Sequence, residues 1–322
     1  MQAIIIGVDL GGTNIKAGAI TQDGKVIYRC HRPTEGEGGP DKVCDNMAEA
    51  VRECRQNLPE GAETIGVGMG TPGPLDLARG LVVDAPNLPG WDNVPVREMM
   101  EERTGLECVV ENDANAAALG EQWMGAGHRC TSLVLLTLGT GIGGGIVLEG
   151  KVWHGFGDCA GEIGHMSIDP EGPRCNCGNW GCVEAHASAT AMVRRMRQTI
   201  EDGTSSSLAD KLDEMTAKDI YDAAVGGDSA ASENIHMTGF YLGVAVSNIM
   251  HILNPEVVVF SGGVTAAGNM LLSPIRQTAR ERTMEACRRD VKIRFGELGG
   301  DAGVIGAARS FVTMREEQQK ER

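Results

Sequence analysis

Two glycine-rich turns, each between two apolar segments, limit the fold of this chain more than any other feature. The first lies at residues 11–13 within an apolar stretch at 4–20, and the second at residues 139–141 within a stretch at 133–148. Each pattern predicts a strand, a tight turn and a second strand. Because glycine lets the backbone approach a ligand, and because successive N–H groups of such a turn can point at one anion, both turns suit phosphate binding. We therefore expect two lobes that hold a polyphosphate between them.

The second turn also matches the G-x-G-x-x-G spacing of dinucleotide-binding loops, at residues 139–144. That motif requires a helix directly after it, whereas residues 145–152 read as a strand and another turn. A Rossmann oxidoreductase is therefore disfavoured, although either hairpin taken alone could be a tight structural turn. Asp9 ends the strand before the first turn, where its carboxylate could position a hydrated Mg²⁺ or could stabilise the turn.

Size and charge narrow the class of protein. The chain has 322 residues, which exceeds the usual size of a single hydrophobic core and predicts two domains. Its formal net charge of −15 argues against nucleic acid or an anionic membrane as a general partner. The sequence has no apolar stretch of membrane-spanning length and no secretory signal. Since a large chain without an export signal is typical of a reducing compartment, we expect a cytoplasmic location, where clustered thiols indicate a metal more often than a disulfide.

The order of predicted elements indicates an α/β protein whose two halves begin alike. The first half starts with a three-stranded meander at residues 3–30, and the second with another from residue 131. Helices are predicted at residues 39–57, 95–103, 114–124, 185–201, 208–225 and 230–253, and from 299–301 to about 315, with a frayed tail after it. Further strands are predicted at residues 64–70, 108–111, 256–260 and 291–295. We interpret this as a duplicated α/β unit, with a small lobe at 1–112 completed by a C-terminal helix at about 303–322, and a large lobe at 113–302.

Three cysteines and one histidine crowd into a stretch without regular secondary structure, as His165, Cys175, Cys177 and Cys182. Three thiolates and one imidazole make a tetrahedral set that suits Zn²⁺. Because the protein would fill all four positions, the predicted zinc is structural and orders the loop that holds it. Three free buried thiols are the alternative. His186 is a weaker ligand candidate, in a position typical of a helix.

Asp113 is the predicted general base, since phosphorylation of a hydroxyl requires a carboxylate near the departing proton. It stands at the junction of the two halves, before an alanine-rich helix, where an aspartate is also a common N-cap. A polyol ligand needs fixed donors and acceptors, which loops and element ends usually present. A zinc-bound His165 would keep its second nitrogen for a ligand hydroxyl. The candidate polyol-binding residues are Asn87, Asn112, Glu162, His165 and Glu184. Each of them could also be an ordinary surface or turn residue.

Together these motifs resemble the ROK family (repressors, open reading frames and sugar kinases) of the actin-like ATPase superfamily. The resemblance rests on residues 9–13, 111–115, 138–145, 161–165, 175–184 and 261–264, so it covers nearly the whole chain. It implies two actin-like (ribonuclease H-like) lobes, each a mixed sheet flanked by helices, with ATP, Mg²⁺ and sugar in the cleft between them. It also implies Asp113 as base and as a substrate-binding residue, zinc on the Cys–His set and sugar contacts from the polar candidates. The nucleotide- and phosphate-binding residues predicted from the turns and the resemblance together are Asp9, Gly11, Gly12, Thr13, Gly139, Thr140, Gly141, Gly262, Gly263 and Gly300.

The resemblance also favours one substrate and one assembly. Residues 86–91 are similar to glucokinase members of the family, so glucose is the expected acceptor and ATP the expected donor. One sequence does not show the pocket around the sugar 2-position, so four other acceptors stay open: N-acetylmannosamine, N-acetylglucosamine, fructose and allose. Polyphosphate stays open as an alternative donor. A sugar-responsive repressor is disfavoured because the first strand starts at residue 3 and leaves no room for a DNA-binding helix-turn-helix. The presence of Asp113 and of both glycine turns disfavours a non-catalytic binding protein. The resemblance also implies a homodimer or homotetramer.

Overall fold

The computed structural model describes residues 2–320. Its strands are β1 (Gln2–Leu10), β2 (Asn14–Thr21), β3 (Val26–Pro33), β4 (Ala62–Thr71), β5 (Leu75–Asp76), β6 (Leu81–Asp84), β7 (Asp92–Val94), β8 (Cys108–Asn112), β9 (Leu133–Leu138), β10 (Ile142–Leu148), β11 (Lys151–Val152), β12 (Val257–Ser261) and β13 (Lys292–Phe295). Its helices are α1 (Gly39–Gln56), α2 (Val96–Thr104), α3 (Asp113–Met124), α4 (Val183–Ala187), α5 (Ala189–Glu201), α6 (Ala217–Val225), α7 (Ser229–Ile252), α8 (Asn269–Arg282), α9 (Glu285–Arg288) and α10 (Ala302–Lys320).

The chain forms two compact units. Unit 1 comprises the described residues up to Thr131, the segment Gly145–Gly161 and the residues from Glu297 onward. Unit 2 comprises Ser132–Gly144 and Glu162–Gly296. The boundary expected after residue 112 stays a prediction, and the compact units differ from it in α3, which packs against α10 and belongs to unit 1.

Unit 1 is built on a five-stranded sheet of order β3-β2-β1-β4-β8. β1 pairs antiparallel with β2 and parallel with β4, and β4 pairs parallel with β8. The side chains of β1 alternate between two cores, since Ile4 and Ile6 pack with the α1 side and Ile5 packs with α10. Because helices cover both of its faces, β1 is a nearly continuous apolar run.

Glycines allow α10 to lie directly on this sheet. A Cβ at Gly7 would lie 2.0 Å from the carbonyl oxygen of Val304, and a Cβ at Gly68 would lie 1.7 Å from that of Ala307. No side chain can be accommodated at such distances, so only glycine permits this approach of helix to sheet. The first turn of α10 is thereby held next to the ends of β1 and β2.

The second sheet repeats the topology of the first. Its order is β11-β10-β9-β12-β13, and β12 pairs parallel with both β9 and β13. The boundary between the units falls inside β10, after Gly144. In both sheets a three-strand meander is followed by two parallel strands, which confirms the predicted duplication. A small third sheet, β5-β6-β7, belongs to unit 1 and carries the loop at residues 85–91 between β6 and β7.

Most predicted elements are confirmed, and three differ. The helix predicted at 185–201 is two helices, because Ser188 is extended and caps α5, its hydroxyl accepting from the N–H of Ala191 at 3.1 Å. The helix predicted at 208–225 is only α6, because Thr216 and Asp219 form a capping box that starts a helix at residue 217. The tail predicted to fray is helical as far as Lys320. Between residues 2 and 320, none of the helices is long and apolar enough to span a bilayer.

Candidate active site

The first glycine turn joins β1 to β2 and is held by Thr34. The N–H of Gly11 donates to the carbonyl of Asn14 at 3.0 Å, which closes the turn. The Thr34 hydroxyl donates to the carbonyl of Gly11 at 2.6 Å, and the Thr34 N–H donates to that of Thr13 at 2.9 Å. These bonds use the N–H of Gly11 and the carbonyl groups of Gly11, Thr13 and Asn14. Gly12 and Thr13 are exposed, as a phosphate-binding turn requires.

Asp9 lies beside this turn, on the strand that leads into it. It pairs across the hairpin with Lys16, whose Nζ donates to the carbonyl of Gly300 at 3.3 Å. The first turn of α10 covers the carboxylate, since a Cβ at Gly303 would lie 2.8 Å from Cγ of Asp9. Burial raises the pKa of the Asp9 carboxyl, and the charge of Lys16 opposes this only in part. A carboxylate at this position could hold a hydrated Mg²⁺.

Asp113 is the first residue of α3, directly after β8. The N-cap itself is Asn112, whose Oδ1 accepts from the N–H groups of Ala114 at 2.9 Å and Asn115 at 3.2 Å. Asp113 Oδ1 also accepts from the N–H of Ala114, at 2.8 Å. Asn112 Nδ2 donates to the carbonyl of Gly73 at 3.3 Å, so its amide is engaged at both ends and offers a ligand one remaining N–H.

The loop that carries Asn87 lies between this helix start and the first turn. A Cβ at Gly73 would lie 1.9 Å from the carbonyl oxygen of Asp84, where the loop begins. A Cβ at Gly12 would lie 3.9 Å from Cβ of Asn87, where the loop passes the turn. Unit 1 therefore brings the turn, Asn87 and the start of the Asp113 helix into one chain of contacts.

Buried Glu111 is the member of this centre that sequence reasoning missed. Its Oε1 accepts from the N–H of Asn112 at 2.9 Å and from Nδ2 of Asn115 at 3.1 Å. Its Oε2 lies 2.9 Å from Nε2 of His154. Burial lowers the pKa of His154, but the hydrogen bond to Glu111 and its charge outweigh burial, and the net shift is upward. The run at residues 111–115 points to Glu111, whereas nothing in the sequence marks His154 as its partner.

In unit 2, the second glycine turn joins β9 to β10 and is held by Glu184. Oε2 of Glu184 accepts from the N–H of Ile142 at 2.9 Å, and a Cβ at Gly141 would lie 2.5 Å from the same oxygen. The carbonyl of Thr140 accepts from the hydroxyl of Thr190 at 2.8 Å. The turn continues into β10 and not into a helix, so the G-x-G-x-x-G spacing here is not a Rossmann fingerprint.

A cavity of about 440 Å³ opens beside this turn. Its mainly apolar lining includes three of the predicted nucleotide-binding residues, Gly139, Thr140 and Gly263. The neighbouring Gly262 has a φ of 93° and lies on β9, where a Cβ would be 2.4 Å from the carbonyl oxygen of Leu138. A concave apolar site of this size with a few polar groups suits a small ligand. The lining residues that sequence reasoning missed are Ala189, Met192, Thr216, Ala217, Lys218, Tyr221, Asp222, Val264, Ala266 and Ala267.

The four predicted metal ligands come together in unit 2, with their donor atoms all within 4.8 Å of one another. Cys175 Sγ lies 3.7 Å from Nδ1 of His165, and Cys177 Sγ lies 3.7 Å from Sγ of Cys182. In a tetrahedral site with Zn–S distances of about 2.3 Å, neighbouring donor atoms are about 3.7 Å apart, so this set fits Zn²⁺. Nε2 of His165 faces Glu162, with 3.9 Å between it and Oε2.

His186 is not one of the ligands in the described metal cluster. It lies on α4, as its position predicts, and its ring stacks on Tyr241 with 4.1 Å between centroids. Burial lowers its pKa, against the charge of Asp169. This is a histidine packed in the core of unit 2.

The predicted site residues divide between the units. Unit 1 contains Asp9, Gly11, Gly12, Thr13, Asn87, Asn112, Asp113 and Gly300. Unit 2 contains Gly139, Thr140, Gly141, Glu162, His165, Cys175, Cys177, Cys182, Glu184, Gly262 and Gly263. Gly300, predicted on the adenosine side with Gly262 and Gly263, belongs to unit 1, where it contacts Lys16.

The sequence profile of the ROK family matches residues 5–313, and the chain belongs to this family. It is 40% identical over 306 residues to a glucokinase of Halalkalibacterium halodurans, covering 94% of this chain and 92% of the relative. It is 40% identical over 307 residues to a glucokinase of Thermotoga maritima, covering 94% and 96%. Among solved structures, it is similar to a ROK family glucokinase from Streptomyces griseus in complex with glucose and AMPPNP, with a TM-score of 0.80, 34% identity and coverage of 95% and 98%. The predicted fold class, mixed sheets flanked by helices in the ROK architecture, is confirmed.

Proposed function

We propose that this chain is an ATP-dependent sugar kinase that converts glucose to glucose 6-phosphate. The observation that carries the proposal is the cavity beside the second glycine turn, lined by Gly139, Thr140 and Gly263. It offers an apolar site for an adenine ring next to a turn suited to phosphates. The relatives at 40% identity are glucokinases, and a solved relative binds glucose and AMPPNP.

Asp113 is the proposed general base. As the sugar hydroxyl oxygen forms its bond to the γ-phosphorus, the bond from that phosphorus to the ADP oxygen breaks, and the hydroxyl proton passes to the Asp113 carboxylate. This assistance is typically worth about 10²–10⁴-fold. Asn112 is the N-cap of α3, Asp113 Oδ1 also accepts from the N–H of Ala114, and Glu111 accepts from the N–H of Asn112, so these hydrogen bonds fix the start of the helix. The proposed sugar contacts are Asn87, Asn112, Glu162, His165 and Glu184.

The backbone of the two glycine turns is proposed to hold the phosphates, with Thr13 and Thr140 adding hydroxyl groups. Asp9 is the proposed ligand of a hydrated Mg²⁺, which when bound supplies positive charge to the transferred phosphoryl group. Oriented N–H groups stabilise the charge that spreads over the phosphoryl oxygens during transfer. The charge of Lys16 opposes in part the rise that burial causes in the pKa of Asp9, and so favours the ionised carboxylate that a cation needs.

The Cys–His cluster is the proposed structural zinc site. Its four protein donors leave no open coordination position, so the metal would order the loop at residues 162–182 and take no part in the chemistry. The second nitrogen of His165 would then be free to meet a sugar hydroxyl, with Glu162 beside it.

The experiment that tests the activity is an ADP-release assay with ATP, Mg²⁺ and a panel of hexoses. Glucose should give the highest kcat/KM, above N-acetylglucosamine, N-acetylmannosamine, fructose and allose. No ADP release with any sugar would contradict the kinase, and a higher kcat/KM for another hexose would contradict glucose. Measuring glucose 6-phosphate with polyphosphate in place of ATP identifies the donor, because transfer from polyphosphate releases no ADP.

A substitution tests the base. Asp113→Asn should bind glucose within about twofold of the unaltered enzyme while kcat falls at least about 100-fold, because the proton then has no acceptor. Asp210→Asn, an exposed aspartate in the Ala209–Lys211 turn of unit 2, is the matched control and should keep full kcat. A kcat for Asp113→Asn above a tenth of normal would rule out the assignment.

We further propose a cytoplasmic homodimer or homotetramer. No disulfide joins any of the ten cysteines, all of which lie within residues 2–320, and this suits a reducing compartment. Light scattering after size-exclusion chromatography measures the assembly directly, and a monomer at micromolar concentration would contradict it.

A further inference from the structure

A second cavity of unit 2 carries charge opposite to that of the whole chain. The protein has a formal net charge of −15, yet residues 276–294 contain seven basic and three acidic side chains. Where α8, α9 and β13 meet, a cavity of about 450 Å³ is lined by four arginines, Arg276, Arg280, Arg288 and Arg289. This cavity shares no lining residue with the cavity beside the second glycine turn. It is therefore separate from the proposed nucleotide site.

Backbone carbonyls hold two of these guanidinium groups in place. Nε and Nη2 of Arg276 both donate to the carbonyl of Ile293, at 3.0 and 2.6 Å. Nη1 of Arg288 donates to the carbonyl of Arg280 at 2.5 Å. Each of the two keeps further N–H groups, because a guanidinium carries five donors. The buried side chains of Met250 and Ile293 also line the cavity and give it an apolar part.

None of the four arginines forms an ion pair with a carboxylate in the part of the chain that the structure describes. The arginines that do so lie elsewhere. Arg276 and Arg280 are one helical turn apart on α8, and like charges at this spacing repel. Four arginines and one carboxylate, Glu285, therefore line the cavity, and the excess of positive charge favours an anionic ligand.

We propose that this cavity binds a small phosphorylated metabolite. The planar fork of arginine matches two phosphate oxygens at once, and the cavity volume lies in the range of small-molecule sites. Glu285, which also lines the cavity, can accept hydrogen bonds from hydroxyl groups of such a ligand. A phosphate with attached hydroxyl groups, as in a sugar phosphate, uses both kinds of partner. A nucleic acid fits less well, since the basic cluster is small and the rest of the chain is acidic.

The test uses a double variant that removes charge without touching a described side-chain hydrogen bond. Across residues 2–320, the side chains of Arg280 and Arg289 donate no hydrogen bond that holds the fold, so Arg280→Ala with Arg289→Ala changes mainly the cavity. Arg282→Ala is the matched control, because its guanidinium lies 5.1 Å above the ring of Phe240 and does not line the cavity.

Isothermal titration with fructose 1,6-bisphosphate and with inorganic phosphate, in the presence of saturating glucose and AMPPNP, measures binding. The bisphosphate should bind the unaltered protein and Arg282→Ala with equal affinity, and the double variant at least about tenfold more weakly. Absence of binding by both probes, equal affinity in the double variant, or competition by glucose and AMPPNP would each overturn the proposal. Binding of an oligonucleotide without either small probe would also overturn it. The proposed kinase activity is measured separately, so its failure is distinguishable from failure here.

Discussion

At the scale of single residues, Glu111, Asn112 and Asp113 together form the junction between β8 and α3, and each has a different role there. Glu111 accepts hydrogen bonds from the N–H of Asn112 and from the side-chain amide of Asn115. Asn112 caps α3, and Asp113 is the first residue of that helix. A cap replaced by alanine typically costs about 1 kcal/mol, so Asn112 secures the helix start on which Asp113 depends. The carboxylate of Asp113 therefore lies at a fixed place, because Asn112 caps the helix and Asp113 Oδ1 also accepts from the N–H of Ala114.

The pair of Glu111 and His154 predicts a pH-dependent stability. Because the pKa of His154 is raised above its ordinary value of 6.5, the charged imidazole stabilises the folded protein at low pH. This contribution is fully present below pH 6.5 and is lost as pH rises through the folded pKa. We expect His154→Gln to lower the free energy of unfolding by about 1–2 kcal/mol near pH 5.5, and by less at pH 8.5. Urea unfolding at several pH values measures the difference.

The matched control for this prediction is His31→Gln, an exposed histidine on β3 of the same unit. Its effect on unfolding should be small, within about 0.5 kcal/mol, at every pH. The groups that face His154 are Glu111, Asp158 and Glu317, and all three are acidic. A gap between His154→Gln and the unaltered protein that grows with pH would contradict the assigned charge state.

At the scale of elements, the Cys–His loop predicts that the thermal stability of the protein depends on bound zinc. Purified protein should contain about one zinc per chain, measured by mass spectrometry of the metal, because four donors satisfy the ion. Cys177→Ser should lose it and unfold at a lower temperature, since metal binding supplies folding free energy. Cys177 is exposed, so the change opens no cavity. Cys159→Ser, an exposed cysteine outside the cluster, should keep the metal; equal zinc in both variants would contradict the site.

The close crossing of α3 and α10 predicts that adding one methyl group at Gly306 strongly lowers the free energy of unfolding. A Cβ at Gly306 would lie 1.5 Å from the carbonyl oxygen of Ala116, and a Cβ at Gly120 would lie 2.2 Å from that of Ala302. Since backbone cannot move aside as a side-chain tip can, Gly306→Ala should cost about 3 kcal/mol or more in unfolding free energy. Gly157→Ala, where a Cβ meets nothing within 4 Å, should be nearly neutral. Similar unfolding midpoints for the two variants would contradict the close crossing.

Local signals in the sequence predicted most elements, and failed where a cap or a proline decided the outcome. The duplicated meander was predictable because glycine turns between apolar runs have few other conformations. Ser188 and Thr216 start new helices through side-chain caps, which periodicity alone does not reveal. No helix was predicted for α8, whose interior contains Pro274, a residue that lacks an amide donor and usually ends a helix.

The candidate site was predictable as far as single residues carry their own chemistry. The four candidate metal ligands are recognisable from their spacing, and their donor atoms do lie close together. The lining of the 440 Å³ cavity was not predictable, because α5, α6 and the segment after β12 meet only through tertiary packing. For the same reason His154 could not be linked to Glu111, 43 residues earlier in the chain.

At the scale of the whole molecule, the charge distribution separates two functions. An overall charge of −15 keeps general polyanions away, so phosphate groups must be bound by local devices. The glycine turns are proposed to be such devices, through backbone N–H groups that carry no net charge. The arginine-lined cavity is the other kind, with formal positive charge concentrated in one place. The chain thus combines neutral cradles for the proposed reaction with one cationic site apart from them.

Ligand binding should stabilise the whole chain, which gives a test of substrate that needs no turnover. A ligand that binds only the folded state adds about 2.7 kcal/mol at 100 times its Kd, so the melting temperature should rise steadily with the logarithm of glucose concentration. L-glucose, with the same composition and opposite handedness, should leave it unchanged. Asp113→Asn should show the same rise as the unaltered protein, because the proposed base acts on the proton and contributes little to binding. A rise with L-glucose, or none with D-glucose in either protein, would contradict a stereospecific glucose site. If D-glucose raises the melting temperature of the unaltered protein but not of Asp113→Asn, then Asp113 contributes to sugar binding and is not only a base.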